Sequence, residues 1–165
     1  MEEITVSATR IKHAGKFDLG DYYRLLYDIF RSMGYDVEEV KYKHKSKPEG
    51  DELEIEWSCF KKVDDYTRFK INAKSLIVGL QKVKVQVEGV PASRHLGDVE
   101  LEMKSVLQTD FTNRWETHPF LKFMKGFYES YLYKDNLETW QAKVNTEMNT
   151  VANEVKAFFN MQKFM

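Results

Sequence analysis

One cysteine, Cys59, is all the chain holds, so no internal disulfide framework can staple the fold. An excess of one charge is lacking too: the net charge of -1 leaves no global field to draw the protein to nucleic acid or anionic lipid. No N-terminal apolar run has the form of a secretory leader or a membrane span, which makes a cytoplasmic protein the expectation. Missing as well are a Gly-rich phosphate loop, a G-x-S-x-G elbow and an H-E-x-x-H pair, the usual signatures of nucleotide-dependent and hydrolytic chemistry. The four histidines, His13, His44, His95 and His118, stand apart, with no Cys, His or carboxylate at a recognised ligand spacing, so no metal or other cofactor is implied. An enzyme is therefore the less favoured reading.

What is present is material for a core. At 165 residues with 42% hydrophobic and 31% charged content, residues 1–165 read as one globular domain. The C-terminal third is helical. Pro119 suits a first helical turn, with Thr117 before it as the amide acceptor. Phe120, Phe123, Met124, Phe127 and Tyr131 then recur at three- and four-residue spacing, and Leu121, Tyr128 and Leu132 widen the stripe, which predicts burial on more than one side. Gly126 within it costs about 1 kcal/mol of helix propensity. Lys134 to Asn136 interrupts the stripe, and Asp135 with Glu138 has the form of a capping box for a second helix from Asn136 to Gln162. That helix, roughly 40 Å long at 1.5 Å per residue, puts Leu137, Trp140, Val144, Met148, Val151, Val155, Phe158 and Phe159 on one face. Its spacing approaches a heptad, so self-association is a second use for it after packing on a sheet.

The rest of the chain supplies the sheet. Glu3 to Thr9 alternates as a strand, and Asp18 caps a helix with Leu19, Tyr22, Leu26, Ile29, Phe30 and Met33 on one face and Gly34 at its C′ end. Tyr35 to Lys45 is a strand whose apolar phase changes, which predicts a β-bulge near Glu38 and Glu39. A Pro48-Glu49-Gly50 turn leads to Glu52–Phe60. Pairing Lys45 with Glu52 sets Lys43 by Glu54 and Lys41 by Glu56, and on the other face His44 by Leu53, Tyr42 by Ile55 and Val40 by Trp57. The next strand is predicted to set Phe69 by Cys59, Ile71 by Trp57 and Ala73 by Ile55. Gly79 then breaks the run, Val83 to Val87 makes a fifth strand, Gly89 to Gly97 a loop, and Val99 to Met103 a sixth, with Lys84 facing Glu102. The sum is an α+β domain, an antiparallel six-stranded sheet in the order β-α-β5-α-α gripping a long C-terminal helix.

The lysines at 41, 43, 45 and 47, with Lys61, Lys62, Arg68 and Lys70, suggest a nucleic-acid face, but the glutamates set opposite several of them neutralise it, so nucleic acid is an unlikely partner. His44 is the one histidine predicted to point to the covered side of the sheet, and Cys59 reads as a small buried hydrophobe.

A sheet gripping a long last helix resembles the helix-grip fold of the START-like, or SRPBCC, superfamily, with one helix rather than two after the first strand and an added aromatic helix before the last. The resemblance is one of architecture and covers nearly the whole chain. It implies a cavity between sheet and final helix of the kind that holds a lipid, sterol or other apolar molecule in that family, some of whose members are cyclases and others protein-binding cochaperone domains. On that basis the first expectation is a non-enzymatic binding domain for an apolar small molecule. Its ligand-binding residues would be Tyr42, His44, Trp57 and Cys59 on the sheet and Tyr131, Trp140 and Val144 on the helices. The alternative is a protein- or ribonucleoprotein-interaction module, or a homodimer, acting through residues 119–162. A START-like cyclase-type enzyme comes third.

Overall fold

A computed structural model describes residues 1–115 and 117–163; the side chain of Leu132, assigned above to the aromatic stripe, lies outside the described ones. The elements run β1 (Glu2–Phe17), α1 (Leu19–Ser32), β2 (Asp36–Lys45), β3 (Asp51–Lys62), β4 (Thr67–Val87), β5 (Val90–Thr109), α2 (Pro119–Phe127), a π turn (Tyr128–Leu132) and α3 (Lys134–Gln162). The five strands form one sheet in the order β1-β5-β4-β3-β2, antiparallel throughout. The domain is α+β, with a curved sheet and a long C-terminal helix, and among the described residues it has five strands where six were predicted.

The missing strand is a matter of bends. Gly79, at φ +68°, sits in a register shift between Val78 and Gln81 and kinks β4 without ending it, so the two predicted strands are halves of one. The predicted loop after Gly89 is also strand: Glu88 and Gly89, at φ 52° and 79°, make a two-residue hairpin turn of the type that needs positive φ at both positions. Pro91 is tolerated in β5 because β1 ends its pairing at His95 and leaves that stretch of β5 as an edge. At the bend Gly50 lies against β4 so closely that a Cβ there would come within 2.6 Å of the Gly79 carbonyl carbon.

The β2–β3 register holds at Lys45–Glu52, Lys43–Glu54, Lys41–Glu56, His44–Leu53 and Tyr42–Ile55. The bulge falls at Val40, which is pushed outward, and Glu39 takes the expected place opposite Trp57. Along β3–β4 the pairing is shifted by two residues from the prediction, with Ile71 by Cys59 and Ala73 by Trp57. The turn is wider than expected because the Asp64 carboxylate accepts from the amides of Tyr66, at 2.8 Å, and Thr67, at 2.6 Å. An even shift keeps every side chain on its face, so the core is unchanged. Lys84 faces Ser93, and Glu102 stands opposite Lys74 and Arg10. The outer face is laced as expected, for example by Lys41–Glu54 at 3.0 Å and Arg10–Glu100 at 3.0 Å.

Both long helices lie on the other face. The side chain of Asp18 caps α1 by accepting from the Asp21 amide at 2.9 Å. At its far end the amides of Gly34 and Tyr35 donate to the carbonyls of Arg31 and Phe30, the paired bonds of a Schellman motif. Val144, Met148, Val151, Ala152, Val155 and Phe159 of α3 are buried. Phe159 stacks on His13 at 4.5 Å and on Tyr22 at 5.4 Å, joining β1, α1 and α3 in one aromatic centre.

The segment leading into α3 departs from expectation. His118, not Thr117, caps α2, its Nδ1 accepting from the Phe120 amide at 3.1 Å, while Thr117 donates to the Arg114 carbonyl. Helix α3 begins at Lys134, straight out of the π turn, and has no side-chain cap in place of the predicted capping box.

Candidate functional site

Between α1 and the β2–β3 edge of the sheet the two layers do not close. A groove of about 570 Å³ remains there, lined by Leu19, Gly20, Tyr23, Arg24, Tyr27, Tyr42, Leu53, Ile55 and His95. Its volume falls in the range of small-molecule sites, roughly 300–1,000 Å³. The α1 residues are spaced along one helical stripe beside the buried row of Tyr22, Leu26 and Phe30. Leu53 and Ile55 form the floor because β3 alternates with its apolar side inward, and Tyr42 stands directly across from Ile55.

Tyr23, Tyr27 and Tyr42 are 36%, 41% and 56% exposed, a level unusual for three neighbouring aromatic rings that all face one space. Two of them are held from behind: Tyr23 and Tyr27 meet the Trp57 ring edge-on at 5.0 and 6.2 Å. The Glu39 carboxylate accepts from the Tyr23 hydroxyl at 3.0 Å and from the Trp57 indole at 3.3 Å, which ties α1 to β2. Partial burial, reinforced by Glu39, raises the Tyr23 pKa above its ordinary value and keeps the phenol protonated.

At the N-terminal end of α1, His95 Nδ1 accepts from the Leu19 amide at 3.2 Å. A neutral ring accepting at Nδ1 carries its proton on Nε2, so the other nitrogen is a donor. Burial lowers the His95 pKa below the ordinary 6.5, with Lys82 acting in the same direction and Asp18 against it. Among the described residues that line the groove, Arg24 is the one with a formal charge; it lies 3.9 Å from Asp21, too far for a hydrogen bond. No Asp or Glu is among the described residues that line the groove.

The residues selected from sequence divide into several places. Tyr42 lines the groove, and Trp57 supports it from below. His44 is on the same sheet face but further out, exposed and bonded to Asp51 at 2.8 Å. Cys59 is buried and free, its thiol pushed up to about 12 by burial. Val144 is fully buried under α3, and Trp140 packs its ring against Phe69 at 6.0 Å with Lys143 over it at 5.5 Å. Tyr131 stands on the π turn, 75% exposed. Leu19, Gly20, Tyr23, Arg24, Tyr27 and His95 were not selected. Tyr23 and Tyr27 had a readable signal: two aromatic residues four apart, just off the buried stripe of α1, where a wet face would carry charge.

A second feature lies across the end of the sheet where Glu2, Asp64 and Asp110 gather. Here Tyr128 stacks between Trp115, at 5.8 Å, and Tyr133, at 5.3 Å, and Tyr66 meets both edge-on. The Tyr66 hydroxyl donates to Glu129, and the Tyr133 hydroxyl donates to Asp64. Buried Lys125 sits 3.4 Å from Glu2 and 4.0 Å from Asp110. These contacts anchor α2 and the π turn by tyrosines and a lysine, so Phe120, Phe123, Phe127 and Tyr131 point outward, contrary to the predicted burial on more than one side.

Among the described residues no group of three or more His, Cys, Asp or Glu side chains is placed to hold a metal ion, and no helix is long and apolar enough to cross a membrane. Fold and groove together define an α+β domain with an aromatic cleft on its sheet. Compared with known proteins, the chain matches no family model and has no significant match among curated sequences.

Proposed function

We propose that this chain is a non-enzymatic binding domain that holds an apolar small molecule in the groove between α1 and the sheet. The observation that carries the reading is the set of three partly exposed tyrosines around an apolar floor of Leu53 and Ile55. Rings braced by Trp57 and Glu39 are already ordered, so a ligand stacking on them loses little side-chain entropy. The layout of curved sheet and long last helix supports placing the domain with the START-like helix-grip proteins. The site in this reading lies under the first helix, since the space beneath α3 is filled by Val144, Met148, Val151 and Val155. The test is native mass spectrometry of the full chain with Nile red binding as a second readout. An apolar adduct, or dye binding, that Tyr42→Glu abolishes supports the reading; a bare mass with no dye uptake removes it.

A second reading, an interaction module acting through residues 119–162, is favoured by the outward row of Phe120, Phe123, Phe127 and Tyr131, which recur along one face of α2 and the π turn. Light scattering separates it from the first. A dimer that Phe123→Ser dissociates supports it, and a strict monomer that captures no partner counts against it.

A further inference from the structure

The groove has chemical polarity along its length. Towards β2 it is aromatic and aliphatic, built from Tyr27, Tyr42 and Ile55; towards the start of α1 it carries Arg24, His95, Leu19 and Gly20. The acids nearest that end have other work. Asp18 caps the helix and lies 3.6 Å from Arg94, and Glu39 is held between Tyr23 and Trp57. The Arg24 side chain is 74% exposed, and the acid beside it, Asp21, lies 3.9 Å away, beyond hydrogen-bond distance. Besides tyrosine hydroxyls, of which that of Tyr23 already donates to Glu39, the polar side chains on this lining are a guanidinium and a histidine whose Nδ1 is engaged by the Leu19 amide and whose Nε2 therefore carries the proton. The first turn of α1 adds the positive end of its dipole to the same wall.

From this we infer that the ligand is an amphipathic carboxylate, its acid end between Arg24 and His95 and its apolar body on Tyr23, Tyr27, Tyr42, Leu53 and Ile55. The inference rests on the reading of the groove as a small-molecule site and narrows it. A carboxylate brings only acceptors, which is what a donor-lined end lacks, and Arg recognises it in a fork-to-fork pair. A cationic head group would face Arg24 with no carboxylate on the lining to offset it.

Three probes with the same twelve-carbon chain separate head group from body: dodecanoate, dodecanol and dodecyltrimethylammonium, titrated calorimetrically into the full chain below their micelle concentrations. Dodecanoate is expected to bind about tenfold more tightly than dodecanol, the gain typical of one charge-assisted contact, with the ammonium weakest. Arg24→Met is expected to bring dodecanoate down to the level of dodecanol and leave dodecanol unchanged. Lys122→Met, on the distant α2, is expected to change neither. Equal binding of acid and alcohol, a preference for the ammonium, or a loss of both acid and alcohol in Arg24→Met overturns the carboxylate assignment while the groove remains a binding site. If none of the three binds, the groove reading itself fails and the assignment with it.

Discussion

Helices α1 and α3 lie on the same face of the same sheet, yet α3 closes on it along most of its length, with a hollow of about 310 Å³ only beside its last turns, whereas α1 leaves a cleft of about 570 Å³. Each has a buried row: Tyr22, Leu26 and Phe30 in α1, and Val144, Met148, Val151, Val155 and Phe159 in α3. The difference is in the flanks. Polar bonds tie α3 down along its flanks: Asn145 to Ser7 at 2.6 Å, Glu147 to Tyr35 at 2.6 Å and to Lys61 at 2.7 Å, and Gln162 to the Asp18 amide at 3.2 Å. On the β2 side α1 is tied at Glu39, and beyond that bond the wall is the exposed ring of Tyr42. A buried stripe thus attaches a helix to a sheet, whereas the flanking residues determine whether space is left beside it.

The largest effect expected from this contrast is in the α3 seal. Phe159→Ala removes a ring packed on His13, Phe17 and Tyr22 and is expected to cost about 3–5 kcal/mol in urea unfolding. A loss under 1 kcal/mol would mean that α3 is not the closed side. Next comes the seam itself. Glu147→Ala leaves the Tyr35 hydroxyl and the Lys61 ammonium without their acceptor and is expected to cost about 1–3 kcal/mol. A double-mutant cycle with Lys61→Ala should show coupling; additive losses would show that the two side chains do not act as a pair.

These two predictions concern the part of the fold that was most legible in the sequence. The row from Val144 to Phe159 is periodic and its charges fall elsewhere, so its burial was readable, as was the β2–β3 register, where charge and hydrophobicity agreed. The strand count was not, because Gly79 and Pro91 are breakers by composition and only tertiary pairing shows that one bends a strand and the other sits on an edge. The burial of α2 was misread for a related reason: apolar periodicity shows that a helix has two faces, and here the inner one is held by Lys125 and stacked tyrosines. The groove was only partly legible. Tyr42 and Trp57 followed from the hairpin, but α1's part in the site depends on where the helix lies over the sheet, which periodicity does not state.

A smaller effect is expected from pH at the mouth of the groove. The folded-state pKa of His95 is lowered, so the folded protein favours the neutral ring that accepts from the Leu19 amide. Its contribution to stability is fully present above the ordinary 6.5 and is lost as the pH falls from there through the lowered value, because the unfolded chain takes the proton first. Unfolding midpoints should therefore fall between pH 7 and about pH 5, and His95→Asn should remove part of that slope. The difference between the two proteins isolates His95 from His13, His44 and His118. Identical slopes would show that folding does not lower the His95 pKa.

The smallest stability effects should lie in the groove wall, and they sharpen the contrast most. Tyr42→Ser takes a large ring from the groove wall, where it is 56% exposed and outside the buried core, so its cost should stay within about 0.5 kcal/mol. The same substitution should lower the affinity of any apolar probe of the groove, because it takes away one of the rings on which the body would stack. A residue that costs nothing to the fold and much to binding is there for the ligand. If Tyr42→Ser instead destabilises the protein as a core substitution does, the ring belongs to the seal, and α1 closes the sheet as α3 does.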